Sequence, residues 1–138
     1  MNYVWYALLA LGSYTLVAPL TKLASQNLSS DVVAMITNGM LAVGALLVVL
    51  YNDDPVFEAL TTTNTTYMVG AGLCLTVGII AYYRALALGP VSVVVPLFGM
   101  FLVTSSVVGI LLLGESLTAR KVAGILLAGV AVYLVTVE

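Results

Sequence analysis

The stretch VVAMITNGMLAVGALLVVLY runs from Val32 to Tyr51 without a single charged residue. A bilayer core about 30 Å thick needs roughly 20 apolar residues in a helix. The run is apolar on every face. A barrel strand would instead alternate apolar and polar positions. A helix closes its own backbone hydrogen bonds, as hydrocarbon demands. The segment therefore reads as a membrane-spanning helix.

Polar breaks bound it on both sides. Ser25-Gln26-Asn27 to Ser29-Ser30-Asp31 precede it, and Asn52-Asp53-Asp54-Pro55 follow it. Working outward, four more apolar windows appear. The expected helices cover residues 3–23, 32–51, 67–88, 91–113 and 119–137. Ser30 and Thr118 each precede a hydrophobic run, where a hydroxyl can accept from free N–H groups. Spans three and four nearly touch at Gly89-Pro90, which requires a very tight turn. The Asn52–Thr66 loop is expected to hold a short interfacial turn using Phe57 and Leu60. The first span has no basic residue before Lys22 and a full-length apolar run, unlike a cleaved signal peptide. Asn27-Leu28-Ser29 and Asn64-Thr65-Thr66 fit the short glycosylation pattern, a weak signal.

Composition agrees with this reading. Of 138 residues, four are Lys or Arg, six are Asp or Glu, and none is His. The charged share of 7% is far below the roughly 25% that soluble domains use to cover their surfaces. A His-based metal site or catalytic triad has no residue to build on. Four scattered cations make no nucleic-acid patch. Cys74 stands alone, so no internal disulfide forms, and it reads as a small apolar residue within span three. The expectation is an all-α, multi-pass protein of the cell membrane that is not an enzyme, with no catalytic residue, metal or cofactor and with lipid as its surroundings.

Five spans place the termini on opposite sides, and short-loop Lys and Arg set the orientation. Arg120 and Lys121 fall on one side, Lys22 and Arg84 on the other: two against two. A tie permits insertion both ways. If Lys22 and Arg84 lie within the membrane and are discounted, the orientation is fixed, with the Arg120–Lys121 loop cytoplasmic.

Several stretches carry a resemblance. Span one ends Leu20-Thr21-Lys22-Leu23, and span three ends Tyr82-Tyr83-Arg84-Ala85-Leu86. Gly89-Pro90-Val91-Ser92 follows, with Pro96 inside span four. Then come Leu113-Gly114-Glu115-Ser116-Leu117-Thr118 and the Gly-rich Lys121-Val122-Ala123-Gly124-Ile125-Leu126-Leu127-Ala128-Gly129-Val130. In this order they resemble one EamA-type half of the drug/metabolite transporter superfamily. The resemblance covers the whole chain. It departs in two ways. The family usually carries two five-helix halves of opposite orientation in one chain, and span one lacks the Trp-Gly pair common mid-helix. The resemblance implies a transporter whose site lies at a repeat interface. An antiparallel homodimer would supply the second half; a paralogous half encoded separately is the alternative.

Candidate site residues follow from polarity within the spans. Asn38, mid-span, should face the bundle interior, to bind substrate or bridge helices. Tyr14 and Tyr82 can present an aromatic body and a hydroxyl to a cavity, or belong to an interfacial belt. Pro96 removes a helix hydrogen bond and frees the Ser92 carbonyl, with Gly99 three residues on: a gate hinge beside a cavity, or a plain kink. Pro19 raises the same question in span one. Lys22 and Arg84 either snorkel to headgroups or draw an anionic group to a cavity mouth. Gly70, Cys74, Gly78 and Tyr82 share a face at four-residue spacing, and Gly124 with Ala128 forms a small-residue pair in span five. Both suit close helix approach, within the chain or across a dimer. Glu115 and Thr118 read as a structural turn before span five. No acid lies mid-span, which disfavours a carboxylate-coupled pump of cationic drugs. Small polar metabolites such as amino acids fit better as substrates. A non-transporting accessory subunit and a lipid flippase are the competing functions.

Overall fold

The computed structural model describes residues 3–114 and 116–137. Among these residues seven helices follow one another: α1 (Tyr3–Ala24), α2 (Ser30–Asn52), α3 (Val56–Ala59), α4 (Thr65–Leu88), α5 (Val91–Gly99), α6 (Phe101–Leu113) and α7 (Ala119–Thr136). No strand occurs among the described residues. Five helical stretches are long and apolar enough to cross a membrane, with α5 and α6 together forming the fourth. The expected spans agree with these to within one or two residues at most ends.

Local chemistry sets the boundaries. Ser29, rather than the expected Ser30, caps α2: its hydroxyl accepts from the Asp31 N–H at 3.3 Å. Ser30 joins the helix instead, and Asp31 falls in the first turn, where negative charge meets the positive end of the helix dipole. Thr118 caps α7 as expected, accepting from the Lys121 N–H at 3.3 Å. Asp53 ends α2 in the left-handed region (φ 56°). The Asp53 and Asp54 N–H groups both close onto the Val49 carbonyl. Gly114 ends α6 at φ 68°, a conformation that costs a side-chain-bearing residue roughly 1–2 kcal/mol. The loop after α2 does contain a helical turn, α3, with Phe57 fully outward.

The chain forms two compact units that divide between Leu88 and Gly89. In the first, α4 packs against both α1 and α2. Val33 and Ala34 of α2 bury with Tyr83 of α4, and Ala24, Ile79 and Tyr82 pack around them. Ala18 and Thr21 bury on α1, and Leu86 buries completely on α4. The Tyr83 hydroxyl meets Thr37 Oγ1 at 2.8 Å, a polar clasp within this core. In the second unit, α7 packs against α5 and α6. The side-chain core is small because the outer solvent is hydrocarbon. Leu and Val lose little by facing lipid, so apolar burial does not hold such helices together.

Candidate functional site

A groove of about 590 Å³ opens between α2 and α4. Apolar walls come from Met35, Leu41, Leu75, Ile79 and Ile80. Its polar groups are few. At one end stand Asp31, in the first turn of α2, and Arg84, near the end of α4. The guanidinium is bidentate on the carboxylate: Arg84 Nε donates to Asp31 Oδ1 at 2.9 Å, and Nη2 to Oδ2 at 3.0 Å. Such fork-on-fork geometry fixes orientation as well as charge. Deeper along α2 lies Asn38, half-buried, whose Nδ2 donates to the Ala34 carbonyl at 2.8 Å. Seven residues of helix place it about 10 Å below Asp31. Thr76 lines the opposite wall, its hydroxyl turned to the Gly72 carbonyl at 2.8 Å.

The sequence-expected residues separate into groups. Asn38 and Arg84 share the groove. Lys22 lies at the same end of this unit, where its Nζ donates to the Ala87 carbonyl at 3.1 Å. Both cations thus bond within the protein. Tyr82 packs, half-buried, against the core edge-on to Tyr83, with ring centroids 6.2 Å apart. Tyr14 is 70% exposed on α1 and lines neither groove described here. Pro96 and Gly99 belong to the second unit.

There the fourth span breaks. Met100 ends α5 and begins α6. Its N–H turns to the Leu97 carbonyl at 3.2 Å, one residue short of the regular helical partner. Pro96 has no N–H for the Ser92 carbonyl. Phe98 and Phe101 flank the break, their rings 5.1 Å apart. Pro19, by contrast, sits inside α1 without interrupting it. The interruption of regular helix thus falls just after Pro96 and Gly99.

The small-residue faces are open. A Cβ built on Gly70, Gly78 or Gly124 meets nothing within 4 Å. Within each compact unit, no neighbouring helix approaches these glycines closely. The chain's own contacts on α4 use Ile79, Tyr83 and Leu86 instead, and Cys74 is exposed. Gly124 lines a second groove of about 340 Å³ between α6 and α7, together with Ser106 and Lys121. Ala128 is half-buried. The turn role expected of Glu115 lies outside the described residues.

The sequence pattern described as the EamA-like transporter family matches residues 1–137. The chain belongs to that family. It is a multi-pass membrane protein of drug/metabolite transporter type. No curated protein and no solved structure matches it. The match covers both compact units of the EamA chain, so the groove in the first and the broken span in the second belong to one family unit.

Sequence reasoning missed Asp31 in this EamA unit. From sequence it reads only as an acid in the polar break before span two. A signal existed: the side assignment that puts Lys22 and Arg84 together also puts the Asp31 loop there. It missed the Thr37–Tyr83 clasp too, because Thr and Tyr within an apolar run carry no pairing pattern.

Proposed function

We propose that this EamA unit carries small polar metabolites, amino acids or similar, across the cell membrane by alternating access, without catalysing a reaction. The observation that carries the proposal is the α2–α4 groove. It combines apolar walls with an ion pair at one end and a half-buried amide deeper in. Ligand sites are built this way, with a few oriented polar groups in an apolar cleft. Polar groups in a membrane helix are expensive without a task. The break at Met100 supports a moving part, since a helix lacking regular bonds bends at low cost.

The working form we propose is a dual-topology homodimer. The even division of Lys and Arg, two and two, lets copies insert in both senses. Gly70, Gly78 and Gly124 leave backbone open to a second copy. An inverted partner makes the midplane repeat interface on which such transporters rely. The metabolite reading is favoured over a cationic drug pump because every acid lies near a span end or in a loop.

The test is flux in proteoliposomes from purified protein, with neutral amino acids, sugars, amines and a fluorescent lipid. Counterflow of an amino acid is expected. Lipid scrambling alone supports the flippase, and no flux of any member supports an accessory role.

A further inference from the structure

We propose that the Asp31–Arg84 pair is the element that reads the two charges of a zwitterionic substrate, and that the substrate opens it by exchanging partners. The proposal rests on the transport reading above and names the residues and charge pattern it selects. The pair lines the groove yet stays accessible, with the Arg84 and Asp31 side chains 60% and 53% exposed. An α-amino acid offers a carboxylate to the Arg84 fork, like for like with the Asp31 carboxylate. Its ammonium then meets the released Asp31. One ion pair plus one zwitterion becomes two ion pairs, with no net charge introduced.

A substrate bearing one charge does not balance. A carboxylate without an amine leaves Asp31 unpaired, and an amine without a carboxylate leaves Arg84 unpaired. A ligand seated against the apolar walls excludes water from the otherwise exposed pair, and a charge then left without its partner is penalised, so the pair selects against both. Only a ligand carrying both charges, close together, opens the site without that penalty. The apolar walls formed by Met35, Leu75, Ile79 and Ile80 suit a hydrocarbon side chain beyond the charged end.

The pair can exchange partners without parting the helices, because it is not the one contact between them. Below it, α2 and α4 are held by the Val33–Ala34–Tyr83 core and the Thr37–Tyr83 bond. Opening the ion pair leaves that clasp closed.

The test uses the full chain in proteoliposomes with three probes: leucine, its deaminated analogue 4-methylpentanoate, and its decarboxylated analogue 3-methylbutylamine. In the unchanged protein leucine is carried, and each analogue competes at least about tenfold more weakly. Asp31→Asn weakens leucine by at least about tenfold and brings 4-methylpentanoate to parity with it. Arg84→Gln does the same for 3-methylbutylamine. The reversed pair, Asp31→Arg with Arg84→Asp, recovers leucine transport. Each variant is first shown to be monodisperse with unchanged helicity; a single variant that fails this is replaced by the reversed pair, whose loss of leucine selectivity would overturn the proposal. It is also overturned if both single variants weaken all three probes by one common factor, the mark of a merely structural pair, or if leucine is untouched. Transport of sugars but of none of the three probes refutes the pair's role while leaving the transporter standing. Absence of all flux refutes both.

Discussion

At the scale of single residues, the Thr37–Tyr83 contact separates two costs that a contact list would merge. Tyr83 is buried, and Thr37 already bonds the Val33 carbonyl at 2.9 Å. Thr37 thus keeps a carbonyl partner if the contact is lost, whereas Thr37 is the partner that the structure shows for the tyrosine hydroxyl. Thr37→Val strands a buried hydroxyl and should destabilise by about 1–3 kcal/mol, whereas Tyr83→Phe removes the donor itself and should cost about 1 kcal/mol. Thermal unfolding in detergent, read by helicity, checks the order; a larger loss for Tyr83→Phe would refute the view that Thr37 is the partner the tyrosine hydroxyl depends on. Asn38 stands on a different footing. Among the described residues its amide bonds within its own helix, to Ala34, so Asn38→Leu should leave stability nearly unchanged. If the groove is the path, the same change should lower flux by tenfold or more, about the worth of a buried hydrogen bond to a charged ligand. Asn38 was legible from sequence because an amide amid Val, Met and Leu stands out. Asp31 was not, because an acid at a helix start has a sufficient local explanation in the helix dipole.

At the scale of elements, the interruption of the fourth span lies close to residues that the sequence marks. Pro96 and Gly99 marked the place, and the break falls at Met100, immediately after Gly99. Pro19 shows that proline alone is insufficient, since α1 runs on through it. Pro96→Ala restores a donor for the Ser92 carbonyl and should stiffen the α5–α6 junction. The expected outcome is a thermal midpoint equal to or above that of the unchanged protein, together with slower flux; faster flux would exclude a hinge here. Helix ends obey the same local rules. Gly114 adopts φ 68°, so Gly114→Ala should destabilise by roughly 1–2 kcal/mol, again read by thermal unfolding. The cap at Ser29 lay one residue from the expected position because Ser29 and Ser30 offer the same hydroxyl. Only backbone geometry chooses between them.

At the scale of the whole molecule, orientation rests on four cations in a chain of 138 residues. A lysine placed beside Asp53 or Asp54 joins the side of Arg120 and Lys121 and breaks the tie. Paired C-terminal reporters, one active inside and one active outside, should both give signal in the unchanged protein. In the lysine variant that loop becomes cytoplasmic, so only the reporter active outside should give signal. Signal from one reporter in the unchanged protein would remove the antiparallel homodimer. Sequence by itself determined the membrane, the five spans and the EamA family, because each depends on run length, composition and ordered local motifs. Those quantities need no knowledge of neighbours. Only the tertiary structure decided which helices pair, that Asp31 meets Arg84 across 53 positions, and that Gly70, Gly78 and Gly124 face open space. The physical reason is the solvent. In water an apolar face must turn inward, so periodicity reveals the core. In lipid every face is apolar, and packing is chosen by a few polar contacts that leave no periodic trace.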